Sequence, residues 1–274
     1  MIDPYSIQGY LLTMGRGEST IEQAEILAAK LRRACSRVTV LGPDIVLGAD
    51  ERLNDHTSTV ACQTCHIPEM AVDEATKVHW DWSQAGQDLP EDVHTYLKIK
   101  GRFVYEQGLQ PVYRWSDGTA DHYLAGDRMD PDDVTEMSAP RGSIDDPRAT
   151  IRPFKLHTGL QPYDTAYRHL LQPQTAGEGG FWMDFDWDQA FRLGAEASGI
   201  AYSGSYGFAR TAMYWPTTHM VAPKEQALQC VDCHAQNGRL DWRTLGYEGD
   251  PLVFGSRMAR ARTVAEHPIP EERP

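Results

Sequence analysis

Cysteine and histidine recur in one fixed spacing at two places, Cys62-Gln-Thr-Cys65-His66 and Cys230-Val-Asp-Cys233-His234. Two thiols so spaced can add across the two vinyl groups of a haem as thioethers. A histidine directly after the second thiol is then placed to coordinate the iron from one face. Cysteine and histidine frequencies give one chance occurrence of this pattern an expectation on the order of a few thousandths, so two occurrences are not coincidence. The rival chemistry is a structural zinc held by four thiolates, but a zinc ribbon does not require a histidine after each second cysteine, and these pairs lie far apart. A thioredoxin-like dithiol would need a strand-turn-helix setting that neither pair has. Two haem c groups are therefore expected, with Cys62, Cys65, Cys230 and Cys233 as thioether sites and His66 and His234 as proximal iron ligands.

Each iron has a second axial position, and eight histidines are left to fill it. His219 lies beside an expected helix start near the second motif, His157 near glycine and proline that could let a porphyrin approach, and His56 a few residues before the first motif; these three are the candidate distal ligands. His79, His94 and His122 fall in expected strands or loops and rank below them, with His169 and His267 lower again. Met220 is an alternative to His219. A two-histidine iron stores an electron at low potential, whereas an open position admits a substrate.

The elements that position these residues are expected to be mainly α, with much irregular structure and a small β-hairpin region. Ser19 and Glu22 have capping-box spacing before a helix over about Thr20 to Ala34. Residues 1–50 otherwise read as an atypical leader, with short apolar runs at Val38 and Ile45. Short strands are expected in 94–106 and 111–115, with a turn at Ser116–Thr119 and residues 121–124 pairing back. Asp127 to Pro153 reads as a long surface loop. Asp186 to Gly199 carries the clearest helix signals, with Asp186 as cap, Gln189 as its return partner and Gly199 as stop. Pro223 suits the first turn of a helix delivering Cys230. Residues 51–263 are expected to form the dihaem domain and 264–274 a disordered tail.

Composition narrows the classes. The 274 residues carry a formal net charge of −13, which argues against nucleic acid and anionic membrane surfaces and permits basic protein partners. No run has the apolar length of a membrane span. Covalent haem attachment implies an extracytoplasmic site, yet the first residues carry no basic region or apolar core of a signal peptide. Four of the five cysteines lie in the two motifs, which leaves Cys35 unpaired.

From about Asp55 to Pro251 the chain resembles the C-terminal half of the octahaem tetrathionate reductase family of c-type cytochromes. The resemblance rests on Val60-Ala-Cys62-Gln-Thr-Cys65-His66-Ile-Pro68, Trp80-Asp-Trp-Ser, Tyr96-Leu-Lys-Ile-Lys-Gly101, Pro153-Phe-Lys-Leu-His157 and Gln161-Pro-Tyr-Asp164. It continues through Gly180-Phe-Trp-Met-Asp-Phe-Asp-Trp187, Leu193 to Gly199, Met213-Tyr-Trp-Pro, His219 to Lys224, Asn237 to Trp242 and Gly246 to Pro251. It implies a secreted protein with a close-packed haem array that reduces tetrathionate, nitrite and hydroxylamine. The family's substrate haem, with a lysine as distal ligand, belongs to the N-terminal half. No residue here takes that role, and Lys98, Lys155 and Lys224 are not assigned it. Residues 1–50 do not resemble the family, so a truncated or frame-shifted product is expected. The resulting expectation is an electron-transfer module serving redox partner proteins or a missing N-terminal haem domain. The alternatives are a stand-alone reductase of a small sulfur or nitrogen oxyanion, a structural zinc protein and a non-functional fragment.

Overall fold

The computed structural model describes residues 38–42, 45–48 and 56–257. The expected helix over Thr20 to Ala34, Cys35, His267 and the expected tail lie outside them. In chain order the elements are β1 (Val38–Gly42), β2 (Ile45–Gly48), α1 (Cys62–His66), β3 (Thr76–Asp81), β4 (Tyr96–Leu97), β5 (Gly101–Glu106), β6 (Val112–Ser116), β7 (Ala120–His122), β8 (Thr135–Pro140) and β9 (Thr150–Asp164). Then follow α2 (Phe181–Asp184), α3 (Trp187–Ser198), β10 (Tyr206–Pro216), α4 (Cys230–His234) and α5 (Pro251–Phe254). The chain divides into two compact units. Residues 69–141 and 153–217 form one, here the sheet unit; the flanking stretches, which include both cysteine motifs, form the other, the motif unit.

The expectation of a mainly helical chain with a small hairpin region is overturned by an eight-stranded mixed sheet, ordered β4-β5-β3-β9-β10-β8-β7, with β6 also paired to β9. Strand β9 runs antiparallel to β10 from Tyr206 opposite Asp164 to Pro216 opposite Phe154. Its other edge meets β3 in parallel, only over Thr158 to Leu160. The missing amide hydrogens of Pro153 and Pro162 fall outside that short contact and cost the ladder nothing there. Residues 121–122 do not pair back onto β6; β7 pairs with β8, His122 opposite Ser138. Strand β8 itself lies within the expected surface loop. The apolar runs at Val38 and Ile45 form an antiparallel pair, Val38 opposite Gly48.

The helix expected at Asp186 to Gly199 is present as α3. The Asp186 carboxylate accepts from the Gln189 amide at 3.1 Å, and Gly199 closes the helix at φ 73°. Trp187, Ala190, Phe191 and Gly194 are its buried residues, at the spacing of one helical face. Phe181 stacks on Trp187 at 3.7 Å between centroids, and Trp187 on Phe191 at 5.2 Å. Gly194 lets α3 close on the preceding segment: a Cβ there would stand 1.8 Å from the Gln172 carbonyl oxygen. Gly194→Ala is therefore expected to destabilise the sheet unit by about 2–3 kcal/mol through forced backbone displacement, read as a fall in its thermal midpoint.

Asp164 ends β9 and is fully buried. One oxygen accepts from the amides of Ala166 and Tyr167 at 2.9 and 2.8 Å, the other from Ser203 at 2.6 Å. Burial alone would raise its carboxyl pKa, but these donors outweigh it and hold the group below its ordinary value. A depressed folded pKa means that this contribution is complete above the unfolded value, about 3.9, and is lost as pH falls through the folded value. Asp164→Asn is expected to cost about 2 kcal/mol at neutral pH. The gap to the wild type should narrow in urea melts taken toward acid.

Candidate haem site

Both cysteine motifs are single helical turns in the motif unit. On α1, Thr64 between the cysteines is buried, and its hydroxyl donates to the Ile151 carbonyl at 2.7 Å. The Ala61 amide donates to the same oxygen at 3.0 Å. These bonds, with fully buried Ile67 and Ile151, fix the turn that presents Cys62, Cys65 and His66. On α4, the Asp232 carboxylate accepts from the Gln229 amide at 2.7 Å. Gly238 lets the chain fold back over this turn: a Cβ would stand 2.1 Å from the Cys233 carbonyl oxygen. The helix expected to run from Pro223 to Cys230 is instead a short 3₁₀ turn, Lys224–Gln226, followed by the separate α4.

None of the four motif cysteines is in a disulfide. Burial raises the Cys233 thiol above its ordinary pKa. Among the described residues no group of three or more His, Cys, Asp and Glu is gathered to hold an ion. Burial lowers the His66 pKa, favouring the neutral imidazole that coordinates metals.

The His234 ring is the better defined. Its Nδ1 lies 2.7 Å from Asp250 Oδ1, and its face stacks on Trp242 at 5.1 Å and 18°. Asp250 is itself held, accepting from the Leu252 amide at 2.9 Å as the N-cap of α5. With Nδ1–H donated to a carboxylate, Nε2 is the nitrogen left for a metal. The His56 ring stands 6.0 Å from that of His234, centroid to centroid, with 67° between planes. A metal at about 2.0–2.1 Å from a nitrogen of each of two imidazoles separates their centroids by roughly 6 Å. Rings at that separation could hold one metal between them. These residues fit a covalently held haem: two cysteines outside any disulfide, one oriented imidazole and a second imidazole 6.0 Å from it.

His219 is exposed. Its segment is tied to the first motif, since the Ala222 amide donates to the His66 carbonyl at 2.9 Å, and Leu228 to that of Cys65 at 2.9 Å. His157 lies on β9 in the sheet unit, half-buried beside Trp80 and Trp82. Burial, then Lys155, Lys77 and His79, lowers its pKa. His169 is buried, with Nε2 2.9 Å from the Ala201 carbonyl oxygen. Sequence reasoning missed Thr64, Trp242 and Asp250. The last could have been found as a capping aspartate directly before a proline, a helix-start signal.

Residues 77–237, more than half of the chain, match the family described as bacterial cytochrome c. The chain belongs to the bacterial cytochrome c family. No curated protein sequence matches it. A crystal structure of an octaheme cytochrome c from Shewanella oneidensis is similar, with 52% sequence identity and a TM-score of 0.71 over 74% of this chain. The match covers 49% of that protein, so this chain spans about half its length. Together these findings make the chain a multihaem cytochrome of the c type, with covalently attached haem, an electron-transport role and an extracytoplasmic setting. Among the described residues no helix is long and apolar enough to cross a membrane.

Proposed function

We propose that this chain is a two-haem electron relay within a tetrathionate reductase-like multihaem system of the periplasm, corresponding to the C-terminal half of an octahaem cytochrome. The observation that supports the relay reading is the 6.0 Å spacing of His56 and His234; two imidazoles on one iron would leave that iron no position for a substrate. By the same logic His219, on the segment bonded to His66, is the distal ligand of the first motif. Each motif's upstream histidine then serves the other motif's iron, and this crossing ties the two motifs into one body.

A bound haem supplies an iron that changes oxidation state by one electron. The chain's own residues do the rest. The thioether cysteines fix the porphyrin, Thr64 and Gly238 hold the turns that present them, and Asp250 and Trp242 set the tilt of the His234 ring. The long apolar side chains near the second motif, among them Val231, Val253 and Phe254, are exposed and offer cover to a porphyrin or to a neighbouring haem domain.

Exported, matured protein is expected to carry the mass of two porphyrins and a low-spin ferric spectrum unmoved by nitrite or cyanide. One porphyrin or none would refute the two-haem count. The exposure of His219 favours a second reading, a small reductase with its open iron at His66. A high-spin signal that shifts with nitrite would select it over the relay.

A further inference from the structure

The sheet unit contains a second concentration of chemistry that electron relay does not use. Five lysines lie among the described residues. Two are in ion pairs, Lys98 with Asp88 at 2.6 Å and Lys224 with Glu225 at 3.8 Å. The other three, Lys77, Lys100 and Lys155, converge on one region of a protein whose formal charge is −13, and among the described residues none of them is in an ion pair.

The backbone brings them together. A register shift in β3 between Lys77 and His79 turns Lys77 onto the face of Trp80, and its Nζ lies 3.5 Å from the centre of that ring. The Trp80 indole donates to the Lys100 carbonyl at 2.7 Å, which sets the Lys100 backbone against Trp80. Lys155, on β9, reaches the start of β3, where its Nζ donates to Thr76 Oγ1 at 2.6 Å. Two residues along β9, His157 lines a cavity with Trp80, Trp82, Gln161, Thr211 and Met213.

All three lysines are half-buried. Burial comes first among the causes that lower the Lys77 pKa, followed by Lys100 and Lys155. Aromatic faces of Trp80, Phe103 and Tyr105 shield Lys77, but ring faces offset one cation and not three. Half-buried like charges that are not in ion pairs repel one another, and a bound anion removes that cost.

We infer that Lys77, Lys155 and His157, with Lys100 beside them, form a binding site for a small oxyanion or a carboxylate. The lysines supply charge, His157 supplies a directional hydrogen bond where the cavity wall meets them, and the Trp80 and Trp82 rings, stacked at 4.7 Å, form an apolar side. This site stands on the sheet unit alone and does not depend on the haem count.

The same chemistry has two sources, a free anion or the propionate of a porphyrin. The test is calorimetric titration of the full, haem-loaded chain with sodium sulfate, which does not ligate haem iron, at low ionic strength where screening is weak. Saturable sulfate binding is expected, weakened about tenfold by Lys77→Gln or by Lys155→Gln, restored by Lys77→Arg and unchanged by Lys224→Gln. If the wild type takes up no sulfate but both glutamine variants lower a haem midpoint potential, the anion is a resident propionate. The proposal is overturned if sulfate binds the glutamine variants as it binds the wild type. It is equally overturned if sulfate does not bind and the potentials do not move. Circular dichroism of each variant confirms that it is folded.

Discussion

In the proposed two-haem relay, His56→Ala is expected to convert one iron from low to high spin and leave the other untouched. The ring that this change removes lies 6.0 Å from that of His234, and alanine supplies no donor. Because axial ligation sets haem potentials over about 0.8 V, the affected centre should also rise by on the order of 100 mV. The 67° between the two imidazole planes adds a sharper signature. Ligand planes far from parallel leave the iron d orbitals nearly degenerate, which gives a highly anisotropic low-spin resonance. Electron paramagnetic resonance of the wild type should contain that signal and His56→Ala should lose it. His219→Ala should act on the other iron, and the double variant on both. Should the two single variants change the same centre, the crossed assignment of distal ligands is wrong.

The sequence carried the site further than the fold. Thioether attachment demands a fixed local spacing, so Cys62 to His66 and Cys230 to His234 could be read without any tertiary information. Helix α3 was equally legible, because Asp186 and Gly199 act within one turn of the backbone they cap. The sheet was not. Strand β9 reads Thr-Ile-Arg-Pro-Phe-Lys-Leu-His-Thr-Gly-Leu-Gln-Pro-Tyr-Asp, with two prolines that confine the alternation of apolar and polar residues to Phe154 through His157. Strand β8 was hidden among Asp, Pro and Arg, where turn chemistry outweighs strand propensity. The pairing of His56 with His234 joins residues 178 positions apart, and no local pattern encodes a contact of that length. His157 shows the converse: a suggestive local setting beside a glycine, placed by β9 among lysines and tryptophans.

The negative carboxylate of Asp250, 2.7 Å from Nδ1 of His234, stabilises the more positive ferric state over the ferrous one, and so lowers the potential of that iron. Among the described residues no carboxylate bonds the His66 ring, so the two haems should titrate apart, with the His234 centre the lower. Asp250→Asn keeps an oxygen for the Leu252 amide and preserves the cap of α5, while it removes the charge. The His234 and Asp250 side chains are 9% and 22% exposed, so water screens the interaction little. A charge-assisted hydrogen bond is worth about 1.5–3 kcal/mol, and only the part that differs between oxidation states counts. If that part is about 1–2 kcal/mol, the shift is roughly 40–90 mV upward at about 59 mV per tenfold for one electron. Asp250→Ala would add fraying of α5 and blur the cause, which is why asparagine is the informative change. Spectroelectrochemical titration should find one centre raised and the other fixed. Equal movement of both, or of neither, would mean that Asp250 acts as a helix cap alone.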